Sequence, residues 1–305
     1  MGGDWWILGR WTLAAILASY MSVSGFRKKS LDKSGAIAAF AVGAVSLGLS
    51  LRLGLTLILF YKSSSVLTKV GFDKKSKFCL FKQEGGQRNA VQVLSCSLFA
   101  TILAVIHLFL VGVGDSLVDF RAQPWGATLL CAYLGFYACC AGDTWSSELG
   151  VLSSRPPRLV TSPWRDVPRG TNGGISPEGT AASAVAGGFM GAGFVFFGWM
   201  VRLAPPPTSS NAFQMPLILL GMASGVVGSV IDSFMGAVLQ ASYFDRNRKV
   251  IVEKPSSAEL AGGHLELLCG RDILSNEQIN VLSAVLTSVL AGVLGRFLSV
   301  SSGRF

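Results

Sequence analysis

Acidic, basic and glycine-rich motifs gather at five places in an otherwise apolar chain. Four are Ser63-Ser64-Ser65-Val66-Leu67-Thr68-Lys69, Glu84-Gly85-Gly86-Gln87-Arg88-Asn89, Gly142-Asp143-Thr144-Trp145-Ser146-Ser147-Glu148-Leu149-Gly150 and Gly170-Thr171-Asn172-Gly173-Gly174-Ile175-Ser176. The fifth is Asp232 within Gly228-Ser229-Val230-Ile231-Asp232-Ser233. Carboxylates suit Mg²⁺, which keeps several waters and binds substrate phosphates. Asp143, Glu148 and Asp232 are therefore the candidate catalytic and metal-binding residues. Asp143 and Glu148 are five positions apart, about 140° around an α-helix. They reach one ion only if the helix frays, and a solvated helix end capped by Asp143 is the plainer alternative. Asp232 stands inside an apolar run. An ionised side chain there costs about 2.5–3.5 kcal/mol on insertion scales and is usually paired or functional. A structural partner such as Arg88 is the other reading.

The glycine pairs Gly85-Gly86 and Gly173-Gly174 let main-chain N–H groups approach an anion closely. Each precedes an apolar run, and a helix N-terminus also favours phosphate. A plain turn explains either pair alone equally well. With Lys69, Glu84, Arg88, Asn89, Thr171 and Asn172 they form the candidate phosphate-binding set. Metal carboxylates, anion cradles and cations are the parts of a phosphoryl-transfer site, which asks little covalent chemistry of the protein. The chain has no Walker-type P-loop, no kinase glycine-rich loop set and no HExxH. His107 and His264 read as structural, so no histidine metal site is expected. The six cysteines form no CxxC pair and read as reduced, packed thiols.

Membrane helices must position these residues. Half of the 305 residues are hydrophobic and 14% are charged, against about a quarter charged in a soluble domain. A second globular domain needs a polar stretch on the order of 100 residues, and none is present. A spanning helix needs about 20 mostly apolar residues. Candidate runs are 5–24, 35–61, 90–113, 124–142, 180–201, 215–243 and 279–299. The expected fold class is all-α: a polytopic transmembrane helical bundle of about seven membrane segments with short loops, 1–305 forming one integral membrane domain. Gln123-Pro124-Trp125 opens one run with Trp at interface depth. Ala204-Pro205-Pro206-Pro207 closes another. Basic residues follow the first run rather than precede it, which reads as a retained helix, not a cleaved signal. Gly187-x-x-x-Gly191 and Gly221-x-x-x-Gly225 suit close helix packing.

The net charge of +9 belongs to the loops, where it speaks to topology and anionic partners. No aromatic-interleaved basic patch marks a nucleic-acid partner. Loop 62–89 holds seven Lys/Arg against two acids, and loops 143–179 and 244–278 hold four and five. Loops 114–123 and 202–214 hold one each. By the positive-inside rule the first three are cytosolic. Loop 25–34 is also basic, so the run 35–61 is expected to turn back near Arg52, among Gly43, Gly48 and Gly54. One tilted span is the rival reading.

The stretches Lys28-Lys29-Ser30-Leu31-Asp32-Lys33-Ser34-Gly35, Glu84-Gly85-Gly86-Gln87-Arg88-Asn89-Ala90-Val91-Gln92-Val93, Ala141-Gly142-Asp143-Thr144-Trp145-Ser146-Ser147-Glu148, Gly170-Thr171-Asn172-Gly173-Gly174 and Gly228-Ser229-Val230-Ile231-Asp232-Ser233 resemble the transmembrane protein nineteen family. Nearly the whole chain shares the resemblance. That family includes the plant glucose-response membrane protein called PGR and a plant phytyl-phosphate kinase of vitamin E synthesis. The short N-terminus departs from the plastid kinase and places this chain nearer the nineteen and PGR branch. The resemblance implies a kinase that transfers a phosphoryl group from a nucleoside triphosphate, CTP or ATP with Mg²⁺, to an isoprenoid (prenyl) monophosphate. The partners implied are the lipid bilayer, that substrate and the nucleotide. The location expected is the endoplasmic reticulum, another endomembrane or the plasma membrane. A non-enzymatic transporter or sugar-response regulator is the alternative, and it requires a polar path through the spans.

Overall fold

A computed structural model describes residues 2–70, 87–112, 115, 117–201, 214–252 and 255–301, with side chains from residue 7 to 297. Among these residues the chain is helical, with two small antiparallel sheets. The helices are α1 (Gly2–Arg27), α2 (Lys33–Leu49), α3 (Leu51–Lys69), α4 (Ala90–Ser95), α5 (Leu98–Val111), α6 (Pro124–Gly150), α7 (Pro177–Met200), α8 (Pro216–Leu239), α9 (Ser257–Ala261) and α10 (Asn276–Ser301). Five of them are long and apolar enough to cross a membrane: α1, α6, α7, α8 and α10. The all-α polytopic expectation therefore holds.

Local chemistry sets the helix ends. Asp32 caps α2 by accepting from the Gly35 N–H at 2.7 Å. Asn89 and Gln92 close a capping box at α4. Ser176 caps α7 ahead of Pro177, whose missing N–H costs nothing in a first turn.

Helix α6 is the centre of the bundle. Every residue from Leu130 to Gly142 is buried, as suits a helix apolar on all sides. It packs against α3, α5, α7, α8 and α10. Tyr133 donates to the Leu53 carbonyl at 2.8 Å, and Ser288 donates to the Ala132 carbonyl at 2.7 Å. Close crossings rest on small residues. A Cβ at Gly187 would run into the Gly221 carbonyl, and one at Gly142 into Gly225.

The run 35–61 does turn back. It breaks at Ser50, and Gly54 of α3 returns against Leu47 of α2. Asp115 fixes the turn by accepting from the Ser50 hydroxyl at 2.5 Å and the Arg52 N–H at 3.0 Å. Arg10 lies 4.0 Å from the same carboxylate and donates to the Leu49 carbonyl. The Arg52 guanidinium is buried over the Phe194 ring, 3.7 Å from its centroid, and donates to the Phe194 carbonyl at 3.0 Å.

Three expectations need correction. The run 90–113 is not one helix but two, broken at Cys96 and Ser97, where Ser97 takes a non-helical conformation. The run 124–142 ends too early, because α6 continues to Gly150. The polar loops 151–176 and 240–275 contain strands. β1 (Arg158–Leu159), β2 (Ser162–Asp166) and β3 (Gly174–Ile175) form one sheet. β4 (Ser242–Asp245), β5 (Val250–Val252) and β6 (Leu265–Cys269) form the other. These strands are two to five residues long, too short for alternation to announce them.

Candidate functional site

Both sheets lie at the end of the bundle where α1, α3, α6 and α8 finish and α2, α4, α7 and α10 begin. The acidic residues come together just inside that end. α6 and α8 run in parallel and touch where Gly142 meets Gly225 and Cys139 meets Gly228. Asp143 is one turn beyond Cys139, and Asp232 one turn beyond Gly228. The two carboxyls consequently come together on the cavity wall and act on each other electrostatically. α10 supplies the remaining described partners. Ser283 Oγ donates to Asp232 Oδ2 at 2.8 Å, and the Asn280 amide nitrogen, oriented to satisfy its neighbours, lies 3.1 Å from the same oxygen. Two carboxylates this close repel unless a proton or a cation lies between them.

A cavity of about 950 Å³ opens from this pair. Its polar end is walled by Asp32, Arg88, Glu148, Arg169, Asn172 and Glu277 in addition to the pair. Among the described residues five acids therefore face two cations. Such a pocket accepts a polyanion only with a cation between the charges. The Asp32 carboxylate, outside the spans, is held below the usual range first by the Gly35 N–H and then by the Ser34 hydroxyl. The other end of the cavity is an apolar arm among α1, α2 and α3.

Glu148 is buried on the cavity wall but does not join the acid pair. The unfrayed helix keeps it about 140° around α6 from Asp143. Among the described residues no three His, Cys, Asp or Glu side chains converge as a metal-ligand set. The expected three-carboxylate set is thus replaced by a pair with amide and hydroxyl neighbours. The carboxylates and the Ser283 hydroxyl are hard oxygen donors of the kind Mg²⁺ takes, and one or two carboxylates with substrate phosphates are its usual protein complement.

The backbone at Asn172-Gly173-Gly174 has two of its donors engaged within the protein. The Asn172 N–H donates to Ser242 Oγ at 3.1 Å, and the Gly174 N–H to the Thr171 carbonyl at 3.0 Å. Those donors are used inside the protein. Thr171 is engaged too, its hydroxyl donating to the Pro168 carbonyl at 2.7 Å. Gly173 has φ +76° and lies so close to Ala237 and the Ser233 carbonyl that a Cβ would collide. The loop therefore packs tightly under α8 and leaves the Asn172 side chain on the cavity wall.

Arg88 lines the cavity while its main chain bridges Ser30 and Asp32, tying α4 to the start of α2. Asn89 also lines it, though its side chain caps α4. Lys69 is exposed at the end of α3, where Thr68 rather than Lys69 lines the cavity. Glu84, Gly85 and Gly86 lie outside the described residues.

Several site residues escaped sequence reasoning. Arg169 looked like one more loop cation. Asn276, Asn280, Ser283 and Thr287 recur at spacings of four, three and four, one face of a helix. That stripe was the available signal. Cys96, at the break between α4 and α5, lines the cavity. The five described cysteines are free.

Helices long and apolar enough to cross a bilayer define a multi-pass membrane protein. The chain belongs to the family described as integral membrane protein DUF92, whose model matches residues 16–288. It is 40% identical to Protein PGR of Arabidopsis thaliana over 284 residues, which is 93% of this chain and 96% of that protein. Protein VTE6, chloroplastic, of the same plant is 24% identical over 94% of this chain and 70% of its own length. An uncharacterized membrane protein of Methanocaldococcus jannaschii is 25% identical over 88% of this chain and 87% of its own. No solved structure matches the chain.

Proposed function

We propose that this protein transfers the terminal phosphoryl group of a nucleoside triphosphate to an isoprenoid monophosphate at the cytosolic membrane face. The observation that carries the reading is one cavity of about 950 Å³ joining an acid pair to an apolar arm between helices. A lipid phosphate needs both environments at once. Kinship with the family that includes a phytyl-phosphate kinase supports the same reading. The basic loops at this end support its cytosolic placement.

Asp143 and Asp232 would hold Mg²⁺, which when bound neutralises charge on the transferring phosphates. Arg88 and Arg169 lie on the same wall and would meet the phosphate oxygens. The attacking oxygen of the monophosphate is already ionised, so no strong base is required. A P–O bond forms to that oxygen as the β–γ bridging P–O bond breaks. The products are an isoprenoid diphosphate and a nucleoside diphosphate. A transporter needs a polar path to the other end. Among the described residues that line the cavity, none belongs to α6 before Asp143.

The test is purified protein in detergent with Mg²⁺, labelled CTP or ATP, and phytyl or geranylgeranyl monophosphate. Diphosphate product is expected, with Asp143→Asn and Asp232→Asn each slowing it by about 10²-fold or more. No product with either nucleotide overturns the activity, and full rate in both variants overturns the site.

A further inference from the structure

Building on the proposed lipid-phosphate site, we infer that the arm among α1, α2 and α3 measures the substrate's hydrocarbon chain, and that Gly43 keeps its inner part open. Ala18 of α1, Val42, Gly43 and Leu47 of α2, and Leu57 and Ile58 of α3 line this arm. It is continuous with the polar end that holds the acid pair, so a chain esterified to a phosphate there can lie along it. Water in so apolar a space has few hydrogen-bond partners, whereas a hydrocarbon gains by leaving it.

The depth of the arm follows from the helix that lines it throughout. Asp32 at the mouth and Leu47 at the inner end are fifteen residues apart on the cavity wall, about 22 Å at the helical rise. A fully extended covalent chain advances about 1.2 Å per bond, judged from the reach of extended backbone. The arm with its mouth therefore takes about 18 bonds on these geometries. That suits a phosphate ester of a 20-carbon isoprenoid, with about sixteen carbons along its backbone, better than a 10-carbon one.

Gly43 differs from its neighbours on α2 and α3. A Cβ at Gly48 would collide with the Trp11 ring, and one at Gly54 with Leu47. These two glycines are needed for packing. A Cβ at Gly43 would meet only Ala18, at 3.5 Å, an ordinary contact. No backbone contact there requires glycine, and a longer side chain would extend past Ala18 among residues that line the arm. The position therefore holds space rather than a crossing.

The experiment compares Gly43→Ala, Gly43→Val and Gly43→Leu with the unaltered protein, using geranyl and geranylgeranyl monophosphates. In Gly43→Leu the ratio of the 20-carbon to the 10-carbon rate should fall by about tenfold or more, because the longer chain loses apolar burial. Gly43→Val should shift the ratio in the same direction, and Gly43→Ala, whose Cβ only touches Ala18, should keep it. An unchanged ratio in Gly43→Leu, with the protein folded by thermal melt, overturns the inference. Native mass spectrometry of the same proteins with the two monophosphates reads binding without turnover. If the unaltered protein makes no diphosphate, the kinase reading fails, and the gauge stands or falls on the binding ratio: selective loss of the 20-carbon ligand supports it, equal retention overturns it. If Gly43→Leu does not fold, the ratio in Gly43→Val decides, and no shift there is the overturning result.

Discussion

Asp115→Ala should unfasten the tip of the α2–α3 hairpin and leave the acid pair in place. The carboxylate accepts from the Ser50 hydroxyl and the Arg52 N–H and lies 4.0 Å from Arg10. The side chains of Arg10 and Asp115 are only 5% and 10% exposed, so solvent screens their pairing little. Removing one member of a buried pair costs about 3–5 kcal/mol, most of it from the charge left behind. Domains of 150–250 residues lose about 2–4 °C per kcal/mol, so the melting temperature in detergent should fall by at least ~6 °C. Asp115→Asn keeps a neutral acceptor for both donors and loses only the charge. It should cost about 1–2 kcal/mol, the difference between charged and neutral hydrogen bonds. Differential scanning fluorimetry on the three proteins reads both numbers. An alanine variant within ~2 °C of the unaltered protein on that scale would refute the anchoring role. Equal losses from alanine and asparagine would refute the importance of the acceptor geometry.

Gly142→Val should force α6 and α8 apart at Gly225; overpacking costs about 1–3 kcal/mol, and thermal melts should show it. A double Gly142→Val, Gly225→Ala protein should be no better, because both changes crowd one contact. Gly173→Ala should lose about 1–2 kcal/mol from its left-handed backbone, with crowding against Ala237 added, read by urea or thermal unfolding. The Asp32 carboxylate has a pKa lowered in the folded state from its ordinary 3.8. Its stabilising contribution is therefore present above that value and lost as pH falls through the folded one. Asp32→Asn should lower the Tm above pH ~4 and change it little in more acid solution, flattening the curve between; an unchanged slope there would count against the cap's role.

The long spans were legible because a bilayer demands an unbroken apolar run of known length. The hairpin at Ser50 was legible for a different reason: basic charge on both flanks of one run cannot be reconciled with a single crossing. The break at Cys96 was not, since Cys and Ser leave the run apolar enough and no Pro or Gly marks it. Asp143 and Asp232 were identifiable singly from their cost in a span, but their meeting depends on the α6–α8 crossing. Glycine spacing allows such a crossing without specifying its partner. Glu148 was overread because the end of α6 was placed before Asp143. The packing of Gly173 was not legible because sequence does not tell a glycine needed for an anion from one needed beneath a helix.

α1 packs chiefly on α2, and only 22% of its spanning window is buried inside the protein, against 83% for α6. Local opening costs least where few contacts must break. The bundle is thus mechanically graded. A leaf made of α1 leans on a block in which α6, α7 and α8 are locked by backbone contact at their glycines. Amide exchange should protect α6 longest and α1 least. A hydrocarbon can then pass sideways under the leaf from the bilayer, while the spacing of the two carboxylates, set inside the block, stays fixed.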